Sequence, residues 1–457
     1  MPIFSPTDLA TWAEGRWTGV PSAPLTGFGT DTRALSGGDI FVAVRTERRD
    51  GHDFLGAARA GGATGALVAR PVAADLPQLV VDDPLTALRR VAARWRADFP
   101  GCVIGVTGSV GKTSTKELLA RLLGAEAFAT EANLNNLIGV PLMLLRMEPA
   151  RHRYAVIEAG MSVPGELAVS AAVLRPDLAI VTSVAPVHLE GVGTLAGVAR
   201  EKAALVAALA PGGRAILPAA LLAWPEFAAE AGRCIAVRFA GEPAPAREPA
   251  RVVRAAFLND AHGRRSLVLD DEVHPLAPMS DGLARNAALA VVAALEAGRP
   301  RAAILAALAG WSPPPGRGSV HVEGDRTFYV DCYNSSPTSL LDAAQAFDRL
   351  SRPAAAARLF MLGGMAELGV AGPGLHRDCG ARLPLRSGDH VVAFGGEAAE
   401  FLAGVAVAGV ALSVAPTLAA ATAFVAAHRG PVFLKGSRAH ALERCLPPAL
   451  RAGLSFH

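Results

Sequence analysis

One stretch organises this chain: Ile104-Gly-Val-Thr-Gly-Ser-Val-Gly-Lys-Thr-Ser-Thr-Lys-Glu117. The apolar run at residues 102–106 is typical of a buried strand, and the residues after Lys112 have helical periodicity. Gly108 and Gly111 allow backbone N–H groups to approach a phosphate chain, because no Cβ stands in the way. The N-terminus of the following helix adds unpaired donors and partial positive charge. This strand–turn–helix pattern predicts a nucleotide phosphate loop.

The loop differs from the strict Walker A pattern at one position. That pattern requires glycine at position 106, whereas this chain has Val106 and a glycine one residue earlier, at Gly105. The part that contacts phosphate, Gly-x-x-Gly-Lys-Thr, is complete, so Lys112 would reach the terminal phosphates and Thr113 would hold Mg²⁺. The alternative is an ordinary glycine-rich turn with a surface lysine. The predicted nucleotide-contacting residues of the loop are Gly108, Ser109, Val110, Gly111, Lys112, Thr113 and Ser114.

The composition indicates a globular protein of about three domains. The chain has 457 residues, of which 51% are hydrophobic, so it can bury a large core. Its five cysteines form no CxxC pair, and an odd number argues against a disulfide framework, so we expect reduced thiols. The formal net charge is +3 and no long basic block occurs, which gives little support for a nucleic-acid partner.

Two segments bear on the cellular compartment. The N-terminal residues lack a basic region followed by an apolar one, so no signal peptide is expected. Residues 402–427 carry no charge and are long enough to span a bilayer. Gly404, Gly409 and Pro416 divide them into a Val-rich half and an Ala-rich half, which favours a strand and a helix of an α/β domain. We therefore expect a cytoplasmic protein without stable membrane insertion.

Three α/β domains are predicted, with boundaries at residues 1–99, 100–315 and 316–457. Pro100-Gly101 marks the first boundary, and the Pro-rich connector at residues 312–317 marks the second. Alternating strand and helix signals predict a mostly parallel sheet in the central domain and a second, Rossmann-like sheet at the C-terminus. Strands are predicted at residues 40–44, 102–106, 154–157, 178–184, 328–331, 359–362, 390–394 and 432–434, and helices at 86–97, 195–209 and 284–296.

Several polar clusters allow both a functional and a structural interpretation. Arg33, Arg45, Arg48 and Arg49 could bind a diphosphate through forked hydrogen bonds, or they could form a solvated charged loop. Three asparagines within residues 133–136 indicate a turn, or they could offer amide contacts to a polar ligand. The residues alone leave these alternatives open.

Three further residues are candidates for metal binding or catalysis. Glu158 ends a predicted strand, and the crevice at the C-terminal ends of parallel strands is where Mg²⁺ could be held. An ordinary loop acid is the alternative. His188 and Lys202 follow the next strand, and single residues of these types are more often structural or solvated.

Six motifs, in this order, resemble those of the Mur ligases of peptidoglycan synthesis. The resemblance runs from about residue 30 to residue 438, nearly the whole chain. The motifs are Arg-Thr-Glu-Arg-Arg-Asp-Gly-His-Asp-Phe (45–54), Asn-Leu-Asn-Asn-Leu-Ile-Gly-Val-Pro (133–141), His-Leu-Glu-Gly-Val-Gly-Thr-Leu-Ala-Gly-Val-Ala (188–199), Asp-Cys-Tyr-Asn-Ser-Ser-Pro (331–337), Met-Ala-Glu-Leu-Gly (365–369) and Lys-Gly-Ser-Arg (435–438).

The resemblance implies an enzyme with an N-terminal domain for a UDP-sugar, a central ATPase domain and a C-terminal Rossmann-like domain. In such enzymes ATP phosphorylates a carboxylate of the UDP-MurNAc-peptide, and an amine attacks the resulting acyl phosphate. The motifs are most similar to those of members that add D-Ala-D-Ala to UDP-MurNAc-tripeptide, so these two substrates are the expected partners. We expect a monomer.

The family pattern also implies roles for individual residues. Thr113 and Glu158 would hold one Mg²⁺, and His188 would help to hold a second. Lys202 matches a lysine that reacts with CO₂ to become a carbamate, which would make it a further, anionic oxygen ligand for Mg²⁺. That reaction requires a neutral amine and hence a lowered pKa. The implied catalytic residues are Lys112, Glu158, His188 and Lys202. Further implied nucleotide contacts are Asn286, Arg317 and Asp331. Implied substrate contacts are Asp31, Arg33, Arg45, His52, Asn135, Asn136, Asn334, Lys435 and Ser437.

The sequence departs from the family pattern at a few positions. Gly282 and Leu283 stand where His and Asn are usual, so adenine contacts are expected to differ. Gly364 replaces a common aspartate, and Val187 and Val192 replace the usual neighbours of the His-Leu-Glu stretch. None of these changes removes a residue that is expected to contact phosphate.

Three rival functions remain at this point. The first is another ligase of the superfamily, either an amino-acid-adding Mur ligase or a folylpolyglutamate synthetase. The Asp-Asn-Pro-Arg motif typical of the diaminopimelate-adding member is absent from this sequence. The second is a P-loop kinase or GTPase, for which neither an Asn-Lys-x-Asp motif nor a clear Walker B strand is found. The third is an inactive binding protein.

Overall fold

The computed structural model describes residues 2–186, 189–259, 265–352 and 356–452, and it contains three α/β units with one sheet each. The elements of the N-terminal unit are α1 (Pro6–Ala13), β1 (Arg16–Trp17), β2 (Gly27–Gly29), β3 (Asp39–Val42), α2 (Leu55–Ala60), β4 (Gly65–Val68), β5 (Gln78–Val80) and α3 (Pro84–Asp98). Its strand order is β1-β5-β4-β3-β2, and β1 is antiparallel to its neighbour while the others are parallel.

The central unit is built on a nine-stranded sheet. Its first elements are β6 (Cys102–Thr107), α4 (Lys112–Leu123), β7 (Ala127–Ala129), α5 (Gly139–Leu145), β8 (Tyr154–Glu158), α6 (Glu166–Leu174), β9 (Leu178–Val181), α7 (Leu189–Val192) and α8 (Leu195–Ala207). They are followed by β10 (Arg214–Pro218), α9 (Pro225–Ala228), β11 (Cys234–Phe239), β12 (Arg251–Asn259), β13 (Arg265–Leu269), β14 (Glu272–Pro275), α10 (Asp281–Glu296) and α11 (Arg301–Ala309). The strand order is β14-β13-β12-β11-β10-β9-β6-β8-β7, and only β12, β13 and β14 pair antiparallel.

The C-terminal unit has a six-stranded sheet with helices between the strands. Its elements are β15 (Ser319–Glu323), β16 (Arg326–Asp331), α12 (Pro337–Leu350), β17 (Leu359–Gly363), α13 (Gly372–Arg382), β18 (His390–Phe394), α14 (Ala399–Gly404), β19 (Ala411–Ala415), α15 (Leu418–Ala427), β20 (Val432–Lys435) and α16 (Pro448–Arg451). The order is β15-β16-β20-β17-β18-β19, parallel except for the β15–β16 pair. This matches the predicted Rossmann-like unit.

The predicted strands and helices are all found, with shifts of a few residues at their ends. One shift has a physical reason: the strand predicted at residues 178–184 ends at Val181, because the side chains of Thr182 and Ser183 bind the phosphate loop. The antiparallel strands β12, β13 and β14 were not predicted. The mostly parallel α/β class is confirmed, and no sheet crosses a predicted boundary, although the boundaries themselves stay predictions.

The segment at residues 402–427 folds as part of an α/β unit and not as one long helix. It contains the end of α14, strand β19 and helix α15, so glycine and proline divide it as predicted. Among the residues that the structure describes, no helix is both long and apolar enough to cross a bilayer.

Helix α3 joins the N-terminal unit to the central sheet. Asp83 caps its N-terminus, accepting a hydrogen bond from the Thr86 N–H at 2.8 Å, and Pro84 occupies the first turn. At the other end, the buried guanidinium of Arg96 donates to the Leu174 carbonyl at 3.1 Å and to Asp177 at 2.8 Å. The same oxygen, Oδ2 of Asp177, also accepts a hydrogen bond from the backbone N–H of Val103, at 2.8 Å. Arg96 therefore fixes α3 to the start of β6, the strand that leads to the phosphate loop.

A buried ion-pair network stabilises the C-terminal unit. Arg358, just before β17, is 1% exposed and binds Asp389 through Nε at 3.0 Å and Nη2 at 2.5 Å. Its Nη1 also donates to Asp348 of α12 at 2.8 Å. Because Asp389 is itself 2% exposed, loss of Arg358 would leave its charge buried and less compensated.

We expect Arg358→Met to lower the free energy of unfolding of the C-terminal unit by about 3 kcal/mol, since it breaks a buried ion pair. Urea unfolding followed by circular dichroism measures this change. Arg377→Met is the matched control, because Arg377 forms an exposed ion pair with Glu400 at 2.9 Å, and such pairs contribute about 0.5 kcal/mol. Equal effects of the two substitutions would contradict the prediction.

Candidate active site

The phosphate loop connects the end of β6 to the start of α4, as predicted. Gly108 and Gly111 have φ angles of +144° and +85°, which residues with a Cβ rarely adopt. Space is also limited: a Cβ at Gly111 would lie 2.0 Å from Nδ2 of Asn286. The loop therefore requires glycine at both positions. Asn286, on α10, lies directly against this loop.

Sheet register explains how the loop is held. Thr107 pairs with Val181 of β9, so the residues that follow the two strands meet. The Thr182 hydroxyl donates to the Val110 carbonyl at 2.6 Å, and the Val110 N–H donates to the Ser183 hydroxyl at 3.1 Å. These contacts hold the phosphate loop against the residues that follow β9.

Lys112 opens helix α4 and lines the cleft. Its Nζ donates to the Gly108 carbonyl at 2.7 Å. Burial lowers the pKa of Lys112, Glu158 and Glu367 oppose that effect, and Arg317 adds to it. The central and C-terminal units thus both place charges around this ammonium group.

Glu158 stands at the end of β8, paired in register with Val106 of β6. It is 2% exposed, and its Oε1 accepts a hydrogen bond from Nδ2 of Asn135 at 2.8 Å. Its Oε2 is buried and has no hydrogen-bond partner among the described residues. A buried carboxylate oxygen without a partner is unfavourable unless a cation or a donor from a ligand completes it.

Lys202 lies on α8, whose N-terminus is capped by Thr194. The residue is completely buried, and its Nζ has no hydrogen-bond partner in the described part of the chain. Burial lowers its pKa well below the ordinary lysine value, the nearby Lys112 ammonium lowers it further, and Glu201 and Glu158 partly oppose these effects. A lowered pKa is what the predicted carbamate at Lys202 requires, and the carbamate itself stays a prediction.

The predicted metal ligands are only partly accessible to structural test. His188 lies outside the described residues, so its predicted roles in metal binding and catalysis stay predictions. Within the described ranges, no group of three or more His, Cys, Asp or Glu side chains is arranged to hold a metal ion. Oε2 of Glu158 has no partner among the described residues and suits a cation. Nζ of Lys202 likewise has none there, which suits its conversion to a carbamate. Thr113 and Glu158 line one cleft.

The C-terminal unit forms the opposite wall of the cleft. Asp331 and Lys435 are register partners at the ends of β16 and β20, and their side chains form an ion pair at 2.9 Å. Lys435 is buried and also donates to the Asn334 carbonyl at 2.7 Å. Arg317 stacks on the ring of Tyr333, with Cζ 3.7 Å from the ring centroid.

These walls enclose a cleft of about 700 Å³. Most residues predicted to bind nucleotide line it, together with four of the predicted substrate contacts. The lining residues that were predicted are Ser109, Val110, Gly111, Lys112, Thr113, Ser114, Asn135, Asn136, Glu158, Asn286, Arg317, Asp331, Asn334 and Lys435.

In the central and C-terminal units, three predicted site residues that the structure describes, Gly108, Lys202 and Ser437, are not part of the cleft lining. Gly108 lies against Thr182, and Lys202 is buried where the charge of Lys112 lowers its pKa. The buried Ser437 hydroxyl accepts a hydrogen bond from the Ala366 N–H at 2.9 Å. Ser437 therefore joins the two C-terminal loops that carried the Met-Ala-Glu-Leu-Gly and Lys-Gly-Ser-Arg motifs.

The asparagines at residues 133–136 were predicted either to form a turn or to contact a polar ligand, and two of them differ in this respect. Asn136 serves the turn, since its Oδ1 accepts hydrogen bonds from the N–H groups of Ile138 and Gly139 at 3.1 and 2.8 Å. Asn135 instead directs its amide to Glu158 at 2.8 Å. Only Asn135 is thus placed by its contacts to act on the carboxylate.

The predicted substrate residues of the N-terminal unit lie outside the cleft lining. Arg33 and Asp31 form an exposed forked ion pair, with distances of 2.9 and 2.6 Å, which lowers the pKa of Asp31 to about 2. His52 is buried; its Nδ1 lies 2.5 Å from Asp50, and its Nε2 accepts the Ala69 N–H at 2.9 Å. Both ring nitrogens of His52 are thus used within the fold. The binding roles of Asp31, Arg33, Arg45 and His52 stay predictions.

Sequence reasoning missed several residues of the site. Thr182, Ser183 and Tyr333 each contact a predicted residue. Single hydroxyl residues after a strand carry no specific signal, whereas Tyr333 lies within the motif at residues 331–337 and was given no role. Glu242 and Arg285, an ion pair at 2.5 Å that lines the cleft, lie 43 residues apart in sequence. Only the fold brings these side chains together.

Comparison with known proteins identifies the family. The Mur ligase middle-domain model matches residues 106–276, and the Mur ligase family catalytic-domain model matches residues 24–96. The chain is 36% identical to the UDP-N-acetylmuramoyl-tripeptide–D-alanyl-D-alanine ligase of Escherichia coli strain K12 over 80% of each protein. The chain belongs to the Mur ligase family. The corresponding Synechocystis ligase is 34% identical to this Mur ligase, over 78% of this chain and 76% of that protein.

Solved structures of the family have the same architecture. The crystal structure I of MurF from Acinetobacter baumannii superposes with a TM-score of 0.85 at 29% identity, covering 97% of this Mur ligase and 98% of that chain. MurF from Thermotoga maritima in complex with ADP superposes with a TM-score of 0.77 at 25% identity, covering 92% and 96%. The predicted three-unit α/β architecture and ATP-dependent ligase class are therefore confirmed.

We expect Thr182→Val to weaken the binding of ADP about fivefold, because the Val110 carbonyl loses its hydrogen bond and the phosphate loop loses one anchor, worth about 1 kcal/mol. Isothermal titration calorimetry measures the affinity. Thr182→Ser retains the hydroxyl and is the matched control, with an expected affinity close to that of the wild type. Similar weakening in both variants would show that the hydroxyl does not act through the loop.

Proposed function

We propose that this Mur ligase joins D-alanyl-D-alanine to UDP-N-acetylmuramoyl-tripeptide, with conversion of ATP to ADP and phosphate, in the synthesis of peptidoglycan precursors. The observation that carries the proposal is the cleft in which Lys112, Glu158 and the Asp331–Lys435 pair face one another across two units. The named relatives at 36% and 34% identity support the choice of substrates. We also propose that it acts in the cytoplasm as a monomer.

The chemical problem is that a carboxylate is a poor electrophile. Phosphorylation converts it into an acyl phosphate, so that the amine of the dipeptide can attack the carbonyl carbon while phosphate leaves. Lys112 would bind the transferred phosphoryl group, since its ammonium lies at the helix N-terminus beside the loop N–H groups. Catalysis then depends mainly on positioning and on charge stabilisation.

Mg²⁺ would be held by Thr113 and Glu158, and a second ion with the help of His188. When bound, the ions would neutralise phosphate charge and orient the reacting oxygens. Asn135 would keep the carboxylate of Glu158 in place through the 2.8 Å hydrogen bond to Oε1, leaving Oε2 available. The orphaned Oε2 supports this assignment.

Lys202 would act as a carbamate. Only the neutral amine reacts with CO₂, and burial gives Lys202 a lowered pKa, so a larger neutral fraction is present at neutral pH than for an ordinary lysine. Carbamylation would also replace an unpaired buried nitrogen by an anion beside Lys112. It would thus convert repulsion between two lysines into attraction.

The remaining assignments divide the contacts to the nucleotide and to the other substrates among the three units. Asn286, Arg317 and Asp331 would contact the nucleotide, and Asn334, Lys435 and Ser437 would shape the C-terminal side of the cleft. Asp31, Arg33, Arg45, His52, Asn135 and Asn136 would serve the UDP-MurNAc-tripeptide. The domains would be residues 1–99, 100–315 and 316–457.

The decisive assay measures phosphate release from ATP with purified protein, UDP-MurNAc-tripeptide and D-Ala-D-Ala, omitting each in turn. We expect release only when all three are present, because the acyl phosphate forms on one substrate and is consumed by the other. L-Ala, D-Glu and diaminopimelate replace the dipeptide as controls. Release with a free amino acid would overturn the substrate assignment, and no release with any pair would overturn the ligase assignment.

We expect Lys202→Ala to lower activity on the order of a hundred-fold, with partial rescue by formate or acetate that occupies the place of the carbamate. A second readout is independent of activity: ¹³C NMR with labelled CO₂ should show a carbamate signal in the wild type that is absent in Lys202→Ala. The matched control is Lys116→Ala, because Lys116 is buried nearby on α4 and donates to the Thr130 carbonyl at 2.6 Å. Full activity of Lys202→Ala without any additive would exclude the carbamate.

A further inference from the structure

The N-terminus of helix α10 contacts the C-terminal unit across the cleft. This is the place where the sequence departs from the family pattern, with Gly282 in place of a side chain that was expected to contact adenine. In the structure, the carboxylate of Asp342 from α12 lies over Gly282, and its two oxygens accept the Gly282 N–H at 3.0 and 3.1 Å. The absence of a side chain is necessary for this contact, since a Cβ at Gly282 would lie 2.6 Å from Oδ2 of Asp342.

Helix α10 does not need Asp342 for its own capping. Ser280 is its N-cap residue, and the Ser280 hydroxyl already accepts the Leu283 N–H at 3.2 Å. The carboxylate of Asp342 is therefore a second acceptor at this terminus, supplied by a different unit. Burial raises the pKa of Asp342, while its hydrogen bonds with Ser280 and Gly282 oppose that effect. A half-buried carboxylate that accepts hydrogen bonds from donors of another unit marks a specific docking contact.

A second contact between the same two helices lies beside the first. Asp281, the first residue of α10, accepts hydrogen bonds from Arg349 of α12 at 2.8 Å and from Arg265 of β13 at 2.5 Å. Asp342 of the C-terminal unit thus binds α10, and Asp281 of the central unit binds α12. This reciprocal arrangement fixes both the distance and the rotation between α10 and α12.

Helix α10 also carries Asn286, which lies against Gly111 of the phosphate loop. One helix therefore contacts the C-terminal unit at its first turn and the nucleotide-binding loop one turn later. A movement of α12 relative to α10 would move the wall that carries Arg317 and Asp331 relative to the phosphate loop. Both sides of the cleft depend on this connection.

We propose that Asp342 is a positioning residue, and that its contact with Ser280 and Gly282 holds the C-terminal wall of the cleft against the nucleotide helix. In this chain, glycine at position 282 leaves room for its backbone N–H to contact the carboxylate of the other unit. The ligand-binding geometry of the cleft is then set by docking of α12 on α10.

The test introduces the missing side chain. Gly282→Ala places a methyl group against Asp342 and displaces the carboxylate, so we expect a larger radius of gyration in small-angle X-ray scattering and about tenfold weaker ADP binding in calorimetry. Gly374→Ala is the matched control: Gly374 also lies in the first turn of a helix, α13, and a Cβ there meets nothing within 4 Å. The control should change neither quantity.

A double-mutant cycle separates docking from general damage. Asp342→Ala alone should give the same two effects as Gly282→Ala, and Gly282→Ala should have no further effect in the Asp342→Ala background, since the methyl group then meets no carboxylate. Asp378→Asn, at an exposed helical aspartate of the same unit, controls for loss of charge. Thermal unfolding should shift little in all variants, because the contact lies between units.

Two results would overturn the proposal. One is unchanged scattering and ADP affinity in Gly282→Ala, and the other is additive effects in the double mutant. Both readouts are independent of the ligase reaction, so they remain valid whichever substrates the phosphate-release assay supports. Failure of the substrate assignment and failure of the docking contact are thus distinguishable.

Discussion

The site depends on one lysine and one carboxylate that are buried near Lys112 of the phosphate loop without a full set of hydrogen bonds among the described residues. Lys202 is completely buried without a hydrogen-bond partner among the described residues, and Glu158 has an unpaired buried oxygen. Such groups destabilise a fold unless something completes them. Their cost is offset elsewhere by the extensive apolar packing around the central sheet, where β6, β8 and β9 are almost entirely buried. Groups that are unfavourable for stability and that surround a cleft are typical of functional sites.

The sheet topology accounts for this placement. Parallel strands end at the same edge, so β6, β8 and β9 deliver the phosphate loop, Glu158 and Thr182 to one place. The C-terminal unit repeats the arrangement, with Asp331 and Lys435 at the ends of paired strands. The cleft is thus formed where the functional edges of two independent sheets face each other. The strands therefore set the positions of these residues, and the loops that follow the strands set the directions of the side chains.

Much of this could be predicted from the sequence where the signal is local. The phosphate loop, its strand and helix, and the alternation that predicts parallel sheets all depend on neighbouring residues, and Lys112 and Glu158 lie where expected. The antiparallel strands β12 to β14 were missed, because their exposed positions weaken the apolar pattern. Thr182 was also missed, since its role comes from strand register and not from any motif. The structural use of both His52 nitrogens is likewise a tertiary property.

The two departures in which glycine replaces a larger residue, at Gly282 and Gly364, follow one physical rule. Where a side chain is lost, a side chain from elsewhere in the fold occupies the space: Asp342 lies over Gly282, and Nε2 of His440 lies 3.2 Å from where a Cβ of Gly364 would be. Close packing requires this, because an empty volume beside a cleft forfeits contacts or admits water. At Gly364 a histidine from the Lys-Gly-Ser-Arg side of the unit replaces an aspartate on the chain's own loop. At these positions the side chain that the sequence lacks is replaced by a side chain from another segment. The effect of such a substitution therefore depends on the residue that occupies the space.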